Sequence, residues 1–252
     1  MKYFVVSDVH SFYDELIVTL NEKGFEKDNP EHILCVCGDL FDRGNQTVQL
    51  FEFVKELNAQ NRLIYVKGNH EDLLFKCVAE ISKGRVPGSH HFSNGTVKTI
   101  CMLCGQSEWI VYDPSWRDKI IEIMQPVLDF INENCVNYAE IEDYICVHGW
   151  IPCFQHLNDF RDGDEDDWYQ ARWLNGIDMW RNPKNRVEGK TIICGHYHCS
   201  WGWSHIRQEH KEWPQKNRVD WEKSFEPFVD DGIIAIDACT AYTGKVNCIV
   251  IE

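Results

Sequence analysis

The sequence predicts an α/β fold in a single domain, and two observations support this prediction. Short apolar runs alternate with segments of helical periodicity, which is typical of strand–helix–strand units with parallel strands. The length of 252 residues fits one large domain better than two small ones, and no repeat or linker rich in Pro, Gly or Ser divides the chain. We therefore expect one domain over residues 1–252.

The first half of the chain holds the clearest elements. Its predicted strands are KYFVV, HILCVC and RLIYVK. Each of these strands precedes a segment with apolar positions at helical spacing, and the predicted helices are FYDELIVTLNEKG, TVQLFEFVKELNA and EDLLFKCVAEI. Gly24 is expected to end the first helix, because glycine readily adopts the left-handed conformation that terminates helices.

The middle of the chain is harder to assign. Residues 84–115 contain Pro87 and several glycines, so we expect an irregular insertion or cap there. The pair His90 and His91 lies in this segment and is not assigned as metal ligands. A long helix is predicted over DKIIEIMQPVLDFINE, and the later predicted strands are YICV, TIIC, GIIAID and VNCIVIE.

Composition argues against several classes of partner. The formal net charge of −15 disfavours generic binding to nucleic acid or to anionic membranes. The opening run MKYFVV is too short for a signal peptide or a membrane span. Many of the twelve cysteines lie inside apolar runs, which fits a reducing compartment better than a disulfide scaffold. We therefore expect a cytoplasmic protein.

Polar motifs follow five of the predicted strands. In chain order they are SDVH, GDLFDRG, GNHE, HGW and GHYH. Because the carboxyl ends of parallel strands meet at one edge of a sheet, these motifs should lie close together. A solvated loop explains any one motif about as well as a functional site does, but the ordered set of five strongly favours a site.

The residue types in these motifs favour a metal site. Asp8 and His10 are two residues apart in a chain leaving an extended segment, and so are His196 and His198, so each pair should point to one side. Asp, Asn and His without a thiolate suit Mn²⁺, Fe or Zn²⁺. There are too many such groups for one ion, and they fit two ions that share a carboxylate, for which Asp39 is the natural bridge.

In this order, the five motifs resemble those of the calcineurin-like metallophosphoesterases. They are most similar to the phosphoprotein phosphatases and their bacterial and phage relatives. The segment NGTVKT at 94–99 resembles an Asn-Gly segment of bacterial members that include diadenosine tetraphosphate hydrolases, and the ending IDACTAYTGKVNCIVIE resembles the last hairpin of the family. The resemblance implies a four-layer α+β arrangement, in which a central β-sandwich is flanked by helices and carries a dinuclear metal site at its strand ends.

The resemblance also implies a ligand set for two divalent ions. Asp39 would bridge the ions, and His198 would face the ion held by Asp8. Mn²⁺ is the expected metal, with Fe, Zn²⁺ and Ni²⁺ as alternatives. The implied ligands are Asp8, His10, Asp39, Asn69, His148, His196 and His198.

Catalytic roles follow from the same resemblance. His70 would protonate the leaving group as a general acid, and Asp42 would orient it and raise its pKa. Arg43 would bind phosphate oxygens in a bidentate manner. A second phosphate-binding arginine is expected before GHYH, where Arg172 is preferred over Arg181.

The expected reaction is hydrolysis of a phosphorylated substrate by a hydroxide generated between the two metal ions. A serine/threonine protein phosphatase-like activity on phosphate monoesters is the preferred interpretation. A symmetrical diadenosine tetraphosphate or other nucleotide hydrolase is the alternative, and the second histidine of GHYH weakens the protein phosphatase assignment. A non-catalytic phosphate-binding scaffold is less favoured, because binding alone does not need the general acid His70.

Overall fold

The structure is a computed structural model that describes residues 1–215 and 221–252. Within these ranges, ten strands form two sheets of five strands each. The strands are β1 Lys2–Val6, β2 His32–Cys37, β3 Leu63–Val66, β4 Cys135–Val136, β5 Ala139–Ile141, β6 Tyr144–Cys146, β7 Thr191–Cys194, β8 Phe228–Asp230, β9 Ile233–Ala235 and β10 Cys248–Ile251.

Both sheets have a parallel centre. The first has the order β10-β1-β2-β3-β4, in which β1 to β4 are parallel and β10 is antiparallel. The second has the order β5-β6-β7-β9-β8, in which β6, β7 and β9 are parallel and the two edge strands are antiparallel. Within each sheet, the carboxyl ends of the parallel strands therefore meet at one edge, which is where the polar motifs begin.

Helices cover the outer faces of the sheets. A large apolar cluster joins the first sheet to helices from the first half of the chain, and a second cluster joins the other sheet to the segments around Trp168 and Trp180. The helices are α1 Tyr13–Glu22, α2 Thr47–Ala59, α3 Asn69–Ser82, α4 Ser89–Asn94, α5 Thr96–Leu103, α6 Arg117–Asn134, α7 Glu165–Ala171, α8 Gly176–Trp180 and α9 Thr240–Thr243.

The two sheets pack against each other through a third apolar cluster. Alternate side chains of the strands point to opposite faces, so each inner strand supplies one set to the helices and one to the other sheet. The layer between the sheets includes Val5, Cys35, Cys37, Val66, Ile141, Cys146, Ile193 and Ile236. The predicted central β-sandwich flanked by helices is confirmed. Cysteines of this layer are free and pack as small apolar side chains.

The prediction of an irregular segment over 84–115 was wrong, because it contains α4 and α5. Gly95, at φ 88°, ends the first of these helices and precedes the second, so the glycine separates two short helices. Val97 and Ile100 of α5 are fully buried in the cluster that covers the first sheet. This segment is therefore part of the packed domain.

Short strands at the sheet edges, β4, β5 and β8, were not predicted, because two or three residues are too few for a period-two pattern. No helix in the described parts of the chain is long and apolar enough to cross a membrane.

Candidate metal centre

Asp39 lies at the centre of a buried polar cluster formed where the parallel strands end. It follows β2, and its carboxylate faces two groups of side chains. In one group, Oδ2 is 3.7 Å from His10 Nε2, which is itself 3.9 Å from Asp8 Oδ1. His10 Nδ1 binds the carbonyl oxygen of Phe41 at 2.8 Å, so its Nε2 is the atom that faces the carboxylates.

The second group lies on the other oxygen of Asp39. Oδ1 is 3.3 Å from His148 Nε2, which also lies 2.8 Å from Asn69 Oδ1. The ligand atoms of Asp39, His148 and His196 all lie within 4.8 Å of one another. His148 Nδ1 binds the carbonyl oxygen of Cys37, which leaves Nε2 facing the group. Asp39 therefore lies between the two groups, with one carboxylate oxygen directed at each.

The electrostatics of the cluster fit divalent cations. Burial raises the pKa of the Asp39 carboxyl well above its usual range. Burial also lowers the pKa of His10, with a further contribution from His70, and it lowers the pKa of His196 to about 3. Neutral imidazoles and a carboxylate in need of compensating charge are a donor set that binds divalent metal ions. The residues present therefore fit two such ions.

The backbone at the motifs is held in an unusual conformation. Asp8, His10, Asp39 and His196 have φ values of 50°, 51°, 55° and 64°. Non-glycine residues rarely adopt this left-handed region, and such strain concentrates at functional sites. These left-handed residues form tight turns, which direct several side chains of one short motif toward the same point.

Glycines in the motifs are required by close packing. A Cβ atom on Gly195 would lie 2.2 Å from Asp8 Oδ2, and one on Gly68 would lie 2.3 Å from Asp39 Oδ1. Real Cβ atoms do not make such contacts, so side chains here would displace the carboxylates.

Glu71 supports Asp39 and had no role assigned from the sequence. Its fully buried carboxylate accepts hydrogen bonds from the backbone N–H groups of Asp39, Leu40 and Gly68 and from the Tyr65 hydroxyl. These bonds fix the turn that presents Asp39. The signal in the sequence was a glutamate at the third position of α3, where a capping box places it.

His70 and Asp42 form the predicted pair. His70 Nδ1 lies 2.7 Å from Asp42 Oδ2, and both side chains are buried. Burial alone lowers the pKa of His70, but the carboxylates of Asp39 and Asp42 outweigh it and raise the pKa above its usual value. His70 Nε2 remains directed at the cluster, 3.4 Å from the Arg43 guanidinium and 3.9 Å from Asp39 Oδ2.

Two threonines hold Asp42 in place, and neither was identified from the sequence as a functional residue. Thr96 Oγ1 donates to Asp42 Oδ2 and Thr99 Oγ1 donates to Asp42 Oδ1, each at 2.8 Å. Both come from the start of α5, within the NGTVKT segment. Both carboxylate oxygens of Asp42 therefore accept hydrogen bonds. In addition to orienting His70, Asp42 connects His70 to α5.

His198 is not part of the cluster, which corrects its prediction as a ligand. Its Nδ1 lies 2.7 Å from Ser200 Oγ, its Nε2 lies 3.6 Å from Glu212, and its ring packs on Trp213. The prediction assumed an extended chain, in which residues two apart share a side. His196 instead has φ 64°, so the two histidines of this motif diverge.

Arg172 does not serve the cluster either, so its prediction as a phosphate ligand was wrong. Its side chain is 2% exposed, and it donates to Asp72 at 3.0 Å and to Glu165 at 2.7 Å. Asp72 lies 100 residues away in the sequence, so the sequence could not pair it with Arg172, whereas Glu165 begins the helix that Arg172 follows. The alternative, Arg181, has a 63% exposed side chain beside Asp178. Arg43 has no carboxylate within ion-pairing distance in the described residues and remains available to an anion.

Comparison with curated proteins finds partial matches to bis(5'-nucleosyl)-tetraphosphatases. An asymmetrical bis(5'-nucleosyl)-tetraphosphatase of Bacillus velezensis is 38% identical over 82 residues, which is 30% of this chain and 33% of the relative. A symmetrical bis(5'-nucleosyl)-tetraphosphatase of Enterobacter sp. is 35% identical over 85 residues, which is 34% of this chain and 29% of the relative. The matched region thus spans about a third of the length of these relatives.

A structural comparison covers the whole chain. A crystal structure provisionally described as a diadenosine tetraphosphatase aligns with 100% of this chain and 89% of its own, with a TM-score of 0.55 and 15% sequence identity. At this identity, the likeness establishes a shared fold. The model of the calcineurin-like phosphoesterase family matches residues 1–227. The chain therefore belongs to the calcineurin-like phosphoesterase family of metal-dependent hydrolases.

Proposed function

We propose that this protein hydrolyses dinucleoside polyphosphates of the diadenosine tetraphosphate type at the Asp39 cluster. The observation that carries the chemistry is the position of Asp39, whose two oxygens face separate groups of ligands beside a protonatable histidine. The names of the curated relatives favour a nucleotide substrate over a phosphoprotein. The alternative substrate class of the sequence analysis is thus better supported than the preferred one.

In this proposal, Asp8 and His10 hold one divalent ion together with Asp39. Asn69, His148 and His196 would hold the second, and Asp39 would be shared by both. When bound, the ions would supply positive charge against the phosphate oxygens and Lewis-acid activation of water.

Arg43 binds the polyphosphate beside these ligands. Its guanidinium can donate to two phosphate oxygens at once, and in a chain of net charge −15 this local cation is needed to admit an anionic substrate. Its position next to His70 places the bound phosphate within reach of a proton donor.

His70 donates that proton to the leaving oxygen. Asp42 accepts the hydrogen bond at Nδ1, so the proton to be transferred lies on Nε2, which faces Arg43 and Asp39. The raised pKa of His70 favours the protonated ring before the reaction, and transfer of the proton neutralises the charge that develops on the leaving group.

Trp173 provides a surface for a nucleobase. Its side chain is 43% exposed, and its ring centroid lies 5.9 Å from that of His196, at the rim of the cluster. Stacking of a base on an aromatic side chain contributes about 1–3 kcal/mol and tolerates any base. A phosphopeptide has no general need for such a surface, which supports the nucleotide assignment.

A substrate panel tests the proposal. Purified protein with Mn²⁺ is assayed on diadenosine tetraphosphate, p-nitrophenyl phosphate, bis-p-nitrophenyl phosphate and a phosphopeptide. We expect the highest kcat/KM on diadenosine tetraphosphate. A higher kcat/KM on the phosphopeptide would instead assign a protein phosphatase, and activity on none of the four would assign a scaffold.

The Trp173→Ala variant tests the role of the aromatic side chain. Loss of stacking should raise KM for diadenosine tetraphosphate about 5- to 150-fold and leave KM for p-nitrophenyl phosphate unchanged. Trp109→Ala is the matched control, because Trp109 is 47% exposed but packs on Trp116 instead of the cluster. An equal change of KM for both substrates would contradict base stacking on Trp173.

A further inference from the structure

A second group of metal-ligating side chains lies outside the Asp39 cluster. Glu80 near the end of α3 meets His90 and His91 of α4, and one ligand atom of each lies within 4.8 Å of those of the other two. The group shares no residue with the Asp39 cluster. It joins two helices that are separated by the turn over 83–88.

His91 lacks the hydrogen bonds that a buried imidazole requires. It is 0% exposed, and neither ring nitrogen has a hydrogen-bond partner among the described residues. Leaving a buried polar group unpaired costs about 1–3 kcal/mol, so native proteins rarely tolerate it. Burial also lowers the pKa of His91, so the imidazole is neutral at pH 7 and carries a lone pair. The structure therefore holds a buried ligand atom that lacks a partner.

Glu80 is oriented to provide the second ligand. Its Oε2 accepts a hydrogen bond from the backbone N–H of Gly88 at 2.8 Å, and its Oε1 lies 3.8 Å from His91 Nε2. Two atoms that bind one tetrahedral Zn²⁺ at about 2.0–2.2 Å each lie about 3.3–3.6 Å apart. The present separation of 3.8 Å is a few tenths of an ångström longer, which a small rotation of the Glu80 side chain closes.

His90 is the exposed member of the group and lies on its solvent-facing side. Its ring centroid lies 4.0 Å from that of His91. A Cβ atom on Gly88 would lie 2.9 Å from the His90 ring, so the glycine makes room for the ring to fold back over the turn. Its ligand atom lies within 4.8 Å of those of Glu80 and His91, so rotation of this exposed side chain can bring the third ligand to the same ion.

We propose that Glu80, His90 and His91 form a third metal site, which binds Zn²⁺ or a similar transition-metal ion between α3 and α4. Two imidazoles and one carboxylate suit Zn²⁺ better than Mg²⁺ or Ca²⁺, which prefer oxygen ligands. The exposed side of the site leaves the fourth position to water.

The site has a structural consequence for catalysis. The helix that carries His90 and His91 ends at Gly95, where a Cβ atom would lie 2.4 Å from the backbone nitrogen of Arg43. The next helix supplies Thr96 and Thr99, which hold Asp42. An ion that fixes α4 on α3 thus restrains the segment that positions the general acid pair.

Zinc stoichiometry tests this site without use of activity. Wild-type protein, the double variant Glu80→Gln/His90→Asn and the control His156→Asn are stripped with chelator, dialysed against micromolar ZnCl₂ and analysed for zinc per chain. Both changed residues of the double variant are at least partly exposed, so the fold should survive, and His91 stays in place. His156 is a suitable control because its side chain is 64% exposed and contacts Asp167 instead.

We expect the double variant to bind one Zn²⁺ fewer per chain than the wild type and the control. The dissociation constant of that ion should rise by at least about 100-fold, because two of three protein ligands are lost. Zn²⁺ should also raise the unfolding temperature of the stripped wild type more than that of the double variant. Equal stoichiometry and equal Zn²⁺-dependent stabilisation in all three proteins would overturn the proposal. A failure of the nucleotide hydrolase proposal would leave these results unchanged.

Discussion

Replacing Glu71 with glutamine tests whether this residue fixes the position of Asp39. In the native structure, Oε2 accepts from the N–H groups of Asp39 and Gly68, and Oε1 accepts from Leu40 N–H and the Tyr65 hydroxyl. Glutamine keeps one oxygen and turns the other into an NH₂ donor. If the glutamine oxygen accepts from the N–H groups of Asp39 and Gly68, its NH₂ group faces the Tyr65 hydroxyl and Leu40 N–H. The Tyr65 hydroxyl can then rotate and accept a hydrogen bond from the NH₂ group, but Leu40 N–H has no acceptor.

The expected loss of unfolding free energy follows from the number of hydrogen bonds that are lost or weakened. One buried N–H without an acceptor costs about 1–3 kcal/mol, and three charge-assisted hydrogen bonds that become neutral lose about 1 kcal/mol each. Relief of the repulsion that Glu71 exerts on Asp39 offsets part of this loss. We expect the Glu71→Gln variant to lose about 3–5 kcal/mol of unfolding free energy in the metal-free protein.

Urea denaturation followed by circular dichroism measures this loss. Tyr65→Phe is the matched control, because it removes one of the four bonds and should cost only about 1 kcal/mol. If Glu71→Gln is too unstable to study without metal, the Mn²⁺-loaded protein provides the same comparison. A destabilisation no larger than that of Tyr65→Phe would refute the reasoning.

Three further outcomes are expected at the cluster. The His70→Asn variant should lower kcat about 10²- to 10⁴-fold on an alkyl phosphate and less on p-nitrophenyl phosphate, whose leaving group needs less protonation, and an equal loss on both would contradict acid catalysis. Activity of the wild type should fall as the pH rises through the raised pKa of His70. The Asp42→Asn variant should lose activity at a lower pH, because it lacks a carboxylate that raises the pKa of His70. If the pH at which activity falls is the same in both proteins, another group is responsible for the titration. Chelation should abolish activity and lower the unfolding temperature, because it leaves the buried Asp39 charge uncompensated, and Mn²⁺ should restore both. A fully active protein without bound divalent metal would rule out the proposed centre.

Much of the fold could be predicted because strands and helices leave periodic patterns. HILCVC and TVQLFEFVKELNA coincide with β2 and α2, since six and thirteen consecutive residues carry a clear pattern. Segments with two or three residues, such as β4, carry none. The region 84–115 was misjudged because its glycines were taken as signs of irregular chain, whereas Gly95 separates two helices.

The positions of the candidate site residues were also only partly predictable from the sequence. Asp8 and Asp39 could be brought together in advance, because they follow adjacent parallel strands of the first sheet and such strand ends share an edge. His148 follows β6 of the second sheet, so the packing of the two sheets places it beside Asp39. His198 could not be placed, because the left-handed backbone of His196 sends it elsewhere. Arg172 could not be placed either, because its buried partner Asp72 is remote in the sequence.

The sequence by itself determined the family, the sandwich of two sheets and the group of side chains around Asp39. These properties depend on local sequence patterns and on the general rule that the carboxyl ends of parallel strands meet at one edge of a sheet. Only the tertiary structure decided which histidines and arginines reach the cluster, that Thr96 and Thr99 hold Asp42, and that Glu80 meets His91. Such contacts depend on single backbone angles and on the packing of distant segments, and neither leaves a periodic trace in the sequence.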